Sequence, residues 1–326
     1  MLDIYIKKAI IHSFDPGNLT IDFSSDLLEI SPLVLEYISK KIEKVYSDEA
    51  KRGKFTEDND FLLKIGDDFL QSTIDIANFW REEYGLAENQ KMNDLLFVEF
   101  EKDTKRHFAF LRLSLRESFS HNVDGDNIKI RKTEANLPGS GTAADEAIII
   151  NLDDKTYHLI EKRIKYNGKL YNYFSENLLA ESPDISINKA IKSIKKTAQS
   201  VAKNFEKDDF IFQGQVQNAI YSAIEENQTL NPEDLADQLF ADNLTARLDF
   251  KEEIKENIPE KVEFSEIPTE KIEKKLSNQK LSLSNGIELL VPQNLYDDAE
   301  TVEFIQESDG RYSILIKNIE EINNKW

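Results

Sequence analysis

The chain has 326 residues, 40% of them hydrophobic and none a cysteine, and it carries a formal charge of −20. A chain this long can bury a large core, and the lack of thiols excludes disulfide frameworks and thiolate metal sites. No apolar run approaches the about eighteen residues of a membrane-spanning helix. The opening MLDIYIKKAIIHSF alternates and carries charge, unlike an apolar signal segment, so a soluble cytoplasmic protein is expected.

Residues 1–23 read as two short strands joined by Asp15-Pro16-Gly17-Asn18, which is turn chemistry. A helix is predicted over 31–46, with Ser31 as N-cap, Pro32 at the first helical position, and Leu35, Ile38, Ile42 and Val45 along one face. Residues 58–84 continue as one broken helix or two consecutive ones, weakened at Gly66. The period then changes. DLLFVEFEK, HFAFLRLSLR, NIKIRK, AIIINL and YHLIEKRIKY are strand-like runs separated by turn residues, and Asn167-Gly168 signals a hairpin.

ESPDIS (181–186) reads as a boundary between domains of 1–184 and 185–326. Helices are predicted beyond it at 186–205, 213–226, 232–241 and 245–257. A charged segment with two prolines then leads into KIEKKL and a small strand-rich end, whose hairpins turn at Ser284-Asn285-Gly286 and Asp309-Gly310. The expected fold class is α+β: a mostly antiparallel sheet with helices packed on one side, then a helical region and the strand-rich C-terminal end.

The stretch LPGSGTAADEAIIINL superficially suggests a phosphate loop. A P-loop needs a lysine after its last glycine and runs strand, loop, helix. Here Ala-Ala-Asp-Glu follows and a strand comes next, so a surface loop is expected. HNVDGDNIKI offers Asp124, Asp126 and Asn127 as oxygen donors but lacks the closing glutamate of a calcium loop, so Asp-Gly is read as a hairpin turn. Asp154 and Glu161, with Arg163 nearby, faintly suggest a metal-dependent nuclease. Arginine cannot release a proton there, and a salt-bridged strand edge is the plainer reading. The four histidines are dispersed. No catalytic residue, cofactor or metal is expected.

Several stretches in order, IKKAIIHSFDP, DEAKRGKF (48–55), DEAIIINL (145–152), YFSENLL (173–179), NGIELLVP and ILIKNIEEI, resemble the NdpA-like nucleoid-associated proteins of bacteria, a family of roughly this length. The similarity runs from Ile6 to Ile322. The resemblance implies a non-enzymatic protein of the bacterial cytoplasm that associates with chromosomal DNA in the nucleoid. It brings no DNA-contacting residues with it.

Charge is unevenly spread along the chain. Residues 1–100 hold 11 basic and 20 acidic side chains (−9), residues 101–200 hold 17 and 14 (+3), and residues 201–326 hold 13 and 27 (−14). In 185–205, Ile187, Ile191, Ile194, Ala198, Val201 and Phe205 form an apolar seam able to pack within one chain or between copies. Lys189, Lys192, Lys196 and Lys203 share another flank, with Lys195 nearby. These lysines span about 21 Å of helix, over which a duplex presents several phosphates. Lys129, Arg131 and Lys132 form a second cluster. Lys162, Arg163, Lys165 and Lys169 form a third, with Tyr157, Tyr166, Tyr171 and Tyr173 interleaved either as stacking platforms or as sheet packing. Lys51, Arg52 and Lys54, on a loop, form a fourth.

With a screening length of about 8 Å, a distant acidic domain would not cancel such a face. The leading expectation is weak, salt-dependent binding of duplex DNA through phosphates, without base readout. The alternative is an acidic interaction module recruited to the nucleoid by a DNA-bound partner, such as another nucleoid or DNA-processing protein.

Overall fold

Most strand-like runs of the first half pair into one sheet, while NIKIRK and the hairpin around Asn167-Gly168 form separate two-stranded ribbons. The computed structural model describes residues 3–124, 127–205, 210–259, 261–264, 270–296 and 298–323. In chain order the first elements are β1 (Ile4–Asp15), β2 (Thr20–Asp22), α1 (Pro32–Val45), β3 (Lys51–Lys54) and α2 (Phe69–Tyr84). Next come β4 (Asn93–Lys102), β5 (Lys105–Ser114), β6 (Arg116–Asp124), β7 (Asn127–Asn136), β8 (Glu146–Asn151), β9 (Thr156–Ile160), β10 (Ile164–Tyr166) and β11 (Lys169–Tyr171). Seven strands form the sheet in the order β2-β1-β4-β5-β8-β9-β3, and each described pairing is antiparallel.

Helices cover both faces of this sheet, not one. Ile38, Ile42 and Val45 of α1 share a core with Ala9, Leu96, Val98, Ala109, Leu111 and Ile149. The alternate strand residues, Phe97, Phe110, Ile148 and Ile150, pack with Ile76 and Trp80 of α2. The reason lies in runs such as FAFLRL and AIIIN, which are apolar at successive positions and so must be buried on both sides. Ser31 caps α1, its side chain accepting from the amide of Val34, with Pro32 in the first turn. A single 3₁₀ turn at Leu62–Lys64 precedes α2, which is the break near Gly66.

Two strand boundaries differ from the reading of the sequence. YHLIEKRIKY is interrupted at Glu161-Lys162-Arg163, between β9 and β10. The Lys51–Lys54 stretch is no loop but the edge strand β3, registered on β9. The ribbon β6–β7 pairs Asp124 with Asn127 across its turn; Gly125 and Asp126, which complete the Asp-Gly signal, lie outside the described residues.

The chain divides into two compact units, Met1–Ser186 and Ile187–Trp326. The second contains α3 (Ile187–Asn204), α4 (Phe210–Asn227), β12 (Thr229–Leu230), α5 (Pro232–Leu239), α6 (Leu244–Lys255), β13 (Val262–Glu263) and α7 (Glu270–Leu276). It closes with β14 (Asn278–Ser282), β15 (Glu288–Pro292), α8 (Gln293–Tyr296), β16 (Val302–Gln306) and β17 (Tyr312–Ile316), paired as two antiparallel ribbons. Asn231 and Asn243 cap α5 and α6. Leu281, Val291, Tyr296 and Val302 make a small core under the ribbons.

Candidate nucleic-acid interface

Helix α3 sorts its side chains by face. Ile187, Ala190, Ile191, Ile194, Ala198, Val201 and Ala202 are buried, and α3 packs on α6 and α4 of the same unit. The apolar seam is therefore consumed within one chain and is not free for a second copy. On the opposite side Lys189, Lys192, Lys196 and Lys203 are all exposed. At about 100° per residue they fall within an arc of roughly 60°. Lys192 and Lys196 make no ion pair among the described residues. Lys195 turns inward instead: its Nζ donates to Oε1 of Gln217 at 2.9 Å, and burial lowers its proton affinity.

Four of the ten cations in the basic clusters of the first unit are paired with neighbouring carboxylates. Lys51 pairs with Glu161 at 2.5 Å, Lys132 with Glu117 at 2.7 Å, Lys162 with Asp145 at 2.5 Å and Lys165 with Glu88 at 3.1 Å. Arg52 is half-buried, and its carbonyl accepts from the amide of Asp184 at 2.7 Å. Lys129 and Arg131 are exposed on β7, as are Lys54 on β3 and Arg163 between β9 and β10. Of the tyrosines, Tyr157 and Tyr173 are core residues, and Tyr166 and Tyr171 lean on each other across the β10–β11 hairpin at 6.0 Å. The boundary between units also divides the mildly positive middle of the chain. Residues 1–186 hold 24 basic and 34 acidic side chains, and residues 187–326 hold 17 and 27, so each unit balances at −10.

The glycine-rich loop offers oxygen, not amide hydrogen. Buried Lys41 of α1 donates to the carbonyls of Gly139 and Thr142 at 3.0 and 2.7 Å, and the Tyr37 hydroxyl donates to that of Pro138 at 2.9 Å. A cradle whose carbonyls converge on an ammonium is the inverse of one whose amides converge on phosphate.

Asp154 and Glu161 are occupied by protein donors. Asp154 accepts from the amide and hydroxyl of Thr156 and from Nδ2 of Asn151, closing the β8–β9 turn. Glu161, its side chain 2% exposed, accepts from Lys51 and from the amide and hydroxyl of Ser175. Among the described residues no group of three or more His, Asp or Glu is placed to hold a metal ion.

Two residues that pattern reading passed over, Arg112 and Glu146, meet in the first unit's interior. Arg112 donates from Nε to Glu146 at 2.7 Å and from Nη1 to Asn93 and Ser114 at 2.9 and 3.0 Å. Burial is the largest single influence and lowers the guanidinium's proton affinity, but the charge and hydrogen bond of Glu146, with Tyr173 and Tyr84 beside them, together hold it above the ordinary value. An arginine inside the apolar run FAFLRL is itself a signal, because a charge in a buried strand must have a partner.

An antiparallel sheet clad on both faces, joined to a helical unit with one lysine-faced helix, defines a two-unit α+β protein with a candidate phosphate-facing surface. The family described as nucleoid-associated protein YejK matches residues 10–323, so the chain belongs to this family of nucleoid-associated proteins. None of the curated proteins compared with the chain matches it. No helix among the described residues is long and apolar enough to cross a membrane.

Proposed function

We propose that this protein is a non-enzymatic component of the bacterial nucleoid that binds duplex DNA weakly, through phosphate contacts and without base-specific readout. The observation that carries the reading is the outward face of α3, where Lys189, Lys192, Lys196 and Lys203 are exposed on a helix that contains no carboxylate. A straight cationic row on a rigid helix meets a phosphate backbone without entering a groove, so it positions the protein but reads no sequence. Lys54, Lys129, Arg131 and Arg163, exposed in the first unit, add further contacts, while Lys51, Lys132, Lys162 and Lys165 already face carboxylates. The saturation of Asp154 and Glu161 by protein donors supports a role other than metal-dependent cleavage.

Titration onto duplex DNA at several salt concentrations tests this. Four phosphate contacts give a log–log slope of about −3.6. Replacing the four exposed lysines by alanine should flatten it accordingly. A slope unchanged by that replacement would remove α3 from the interface.

The −10 balance of each unit favours a second reading, recruitment by a DNA-bound partner with a basic surface. It predicts that the purified chain fails to shift duplex DNA at low salt and yet co-purifies with nucleoid proteins from nuclease-treated lysate.

A further inference from the structure

A cleft of about 390 Å³ opens in the first unit between the residues that follow α2, the inner end of β5, and the break between β9 and β10. Its volume is that of a small-ligand site. Five cations line it, Lys91, Arg112, Lys162, Arg163 and Lys165. Three carboxylates answer them: Asp145 opposite Lys162, Glu146 opposite Arg112, and Glu88 opposite Lys165. Five against three leaves an excess of two positive charges, carried by Lys91 and Arg163, which are exposed and make no ion pair among the described residues.

Arg112 distinguishes this cleft from an ordinary basic rim. Its side chain is only 5% exposed, and the bonds from Nε and Nη1 to Glu146, Asn93 and Ser114 fix the guanidinium plane. Nη2 makes no hydrogen bond among the described residues and remains for whatever enters. The Tyr84 ring lies 4.9 Å beneath the guanidinium, which holds the group from below. A desolvated guanidinium already held in one plane loses little freedom when an oxyanion arrives. Leu170, 63% exposed, adds an apolar wall.

We infer that this cleft binds a phosphomonoester, with Arg112 and Arg163 holding the phosphate and Leu170 bordering the carbon part of the ligand. An excess of two charges matches the charge of a phosphomonoester near neutral pH, about −1.5 to −2. Phosphates within a duplex are spread along a wide rod and would meet the rim only. A terminal phosphate, on a mononucleotide or on the end of a single strand, can reach the floor. The site lies in a different unit from α3, so it does not depend on duplex binding.

The full chain is titrated calorimetrically with AMP and with adenosine at constant ionic strength. In parallel, a short single strand is compared by fluorescence anisotropy with and without a 5′-phosphate. At least one phosphorylated probe should bind about tenfold more tightly than its phosphate-free counterpart. That preference should vanish in the exposed-site double variant Arg163→Gln/Lys91→Gln and persist when the four α3 lysines are alanine. A preference confined to AMP assigns a free nucleotide, and one confined to the strand assigns a nucleic-acid end. No phosphate preference in either pair, or a preference that survives the double variant, overturns the inference. Duplex binding that is lost only with the α3 lysines is a separate result and leaves this one standing.

Discussion

Arg112 and Glu146 meet 2.7 Å apart between β5 and β8, with side chains 5% and 0% exposed. The Tyr173 hydroxyl donates to the same carboxylate oxygen, and Trp80 Nε1 donates to that hydroxyl at 3.0 Å. The other oxygen of Glu146 has no hydrogen-bond partner among the described residues. Glu146 belongs to DEAIIINL and Tyr173 to YFSENLL, so two stretches that carry the family likeness converge on one buried network. Breaking a buried pair strands a charge, which typically costs about 3–5 kcal/mol. Glu146→Gln should lower urea stability by about that amount, and the double variant Arg112→Met/Glu146→Leu should recover part of it. A Glu146→Gln protein as stable as the parent would show that the pair does not hold the sheet.

Lys41 is the donor that fixes the glycine-rich loop. Lys41→Met keeps the stem but leaves the carbonyl of Thr142 without this donor and that of Gly139 with the Thr142 amide alone. The expected loss is about 2 kcal/mol, with faster amide exchange over 139–144. Exchange equal to the parent's would mean that the loop is held by other contacts.

His12 predicts part of the acid sensitivity. The Ser24 amide donates to its Nδ1 at 3.2 Å, so the ring proton sits on Nε2, which donates to the Thr73 hydroxyl at 3.0 Å. Burial holds the imidazole down to about 4 from its ordinary 6.5. Between those values the unfolded chain binds a proton that the folded chain refuses, so this group's contribution falls as pH drops from about 6.5 to about 4. The limit is on the order of 3 kcal/mol. Urea midpoints measured across that window should fall more steeply for the parent than for His12→Asn; parallel curves would exclude the histidine.

Gly53, in the middle of β3, faces Tyr157, and a Cβ there would lie 2.2 Å from the tyrosine oxygen. Tyr157 is itself packed against Phe55 at 4.6 Å and cannot swing away. Gly53→Ala should therefore cost about 1–3 kcal/mol. Gly66→Ala, with open space around it, should stay within about 0.5 kcal/mol. Equal melting temperatures for the two would refute the packing argument.

Local chemistry made much of this architecture legible. The Ser31-Pro32 start of α1, the Asn167-Gly168 hairpin and the two faces of α3 each depend on residues within a few positions of one another, and the sequence by itself determined them. It also held, unread, the evidence for a sheet buried on both faces, since AIIIN has no polar side to turn to water.

The state of the charges was decided only by the tertiary structure. Lys51 meets Glu161 across 110 residues of chain, and Lys162 meets Asp145 across 17. Lys192 and Lys196, equally basic in sequence, find no such partner among the described residues. Coulombic attraction depends on distance through space and on the surrounding dielectric, not on separation along the chain. Which cations are spent inside the molecule and which remain for a ligand is for that reason a property of the fold.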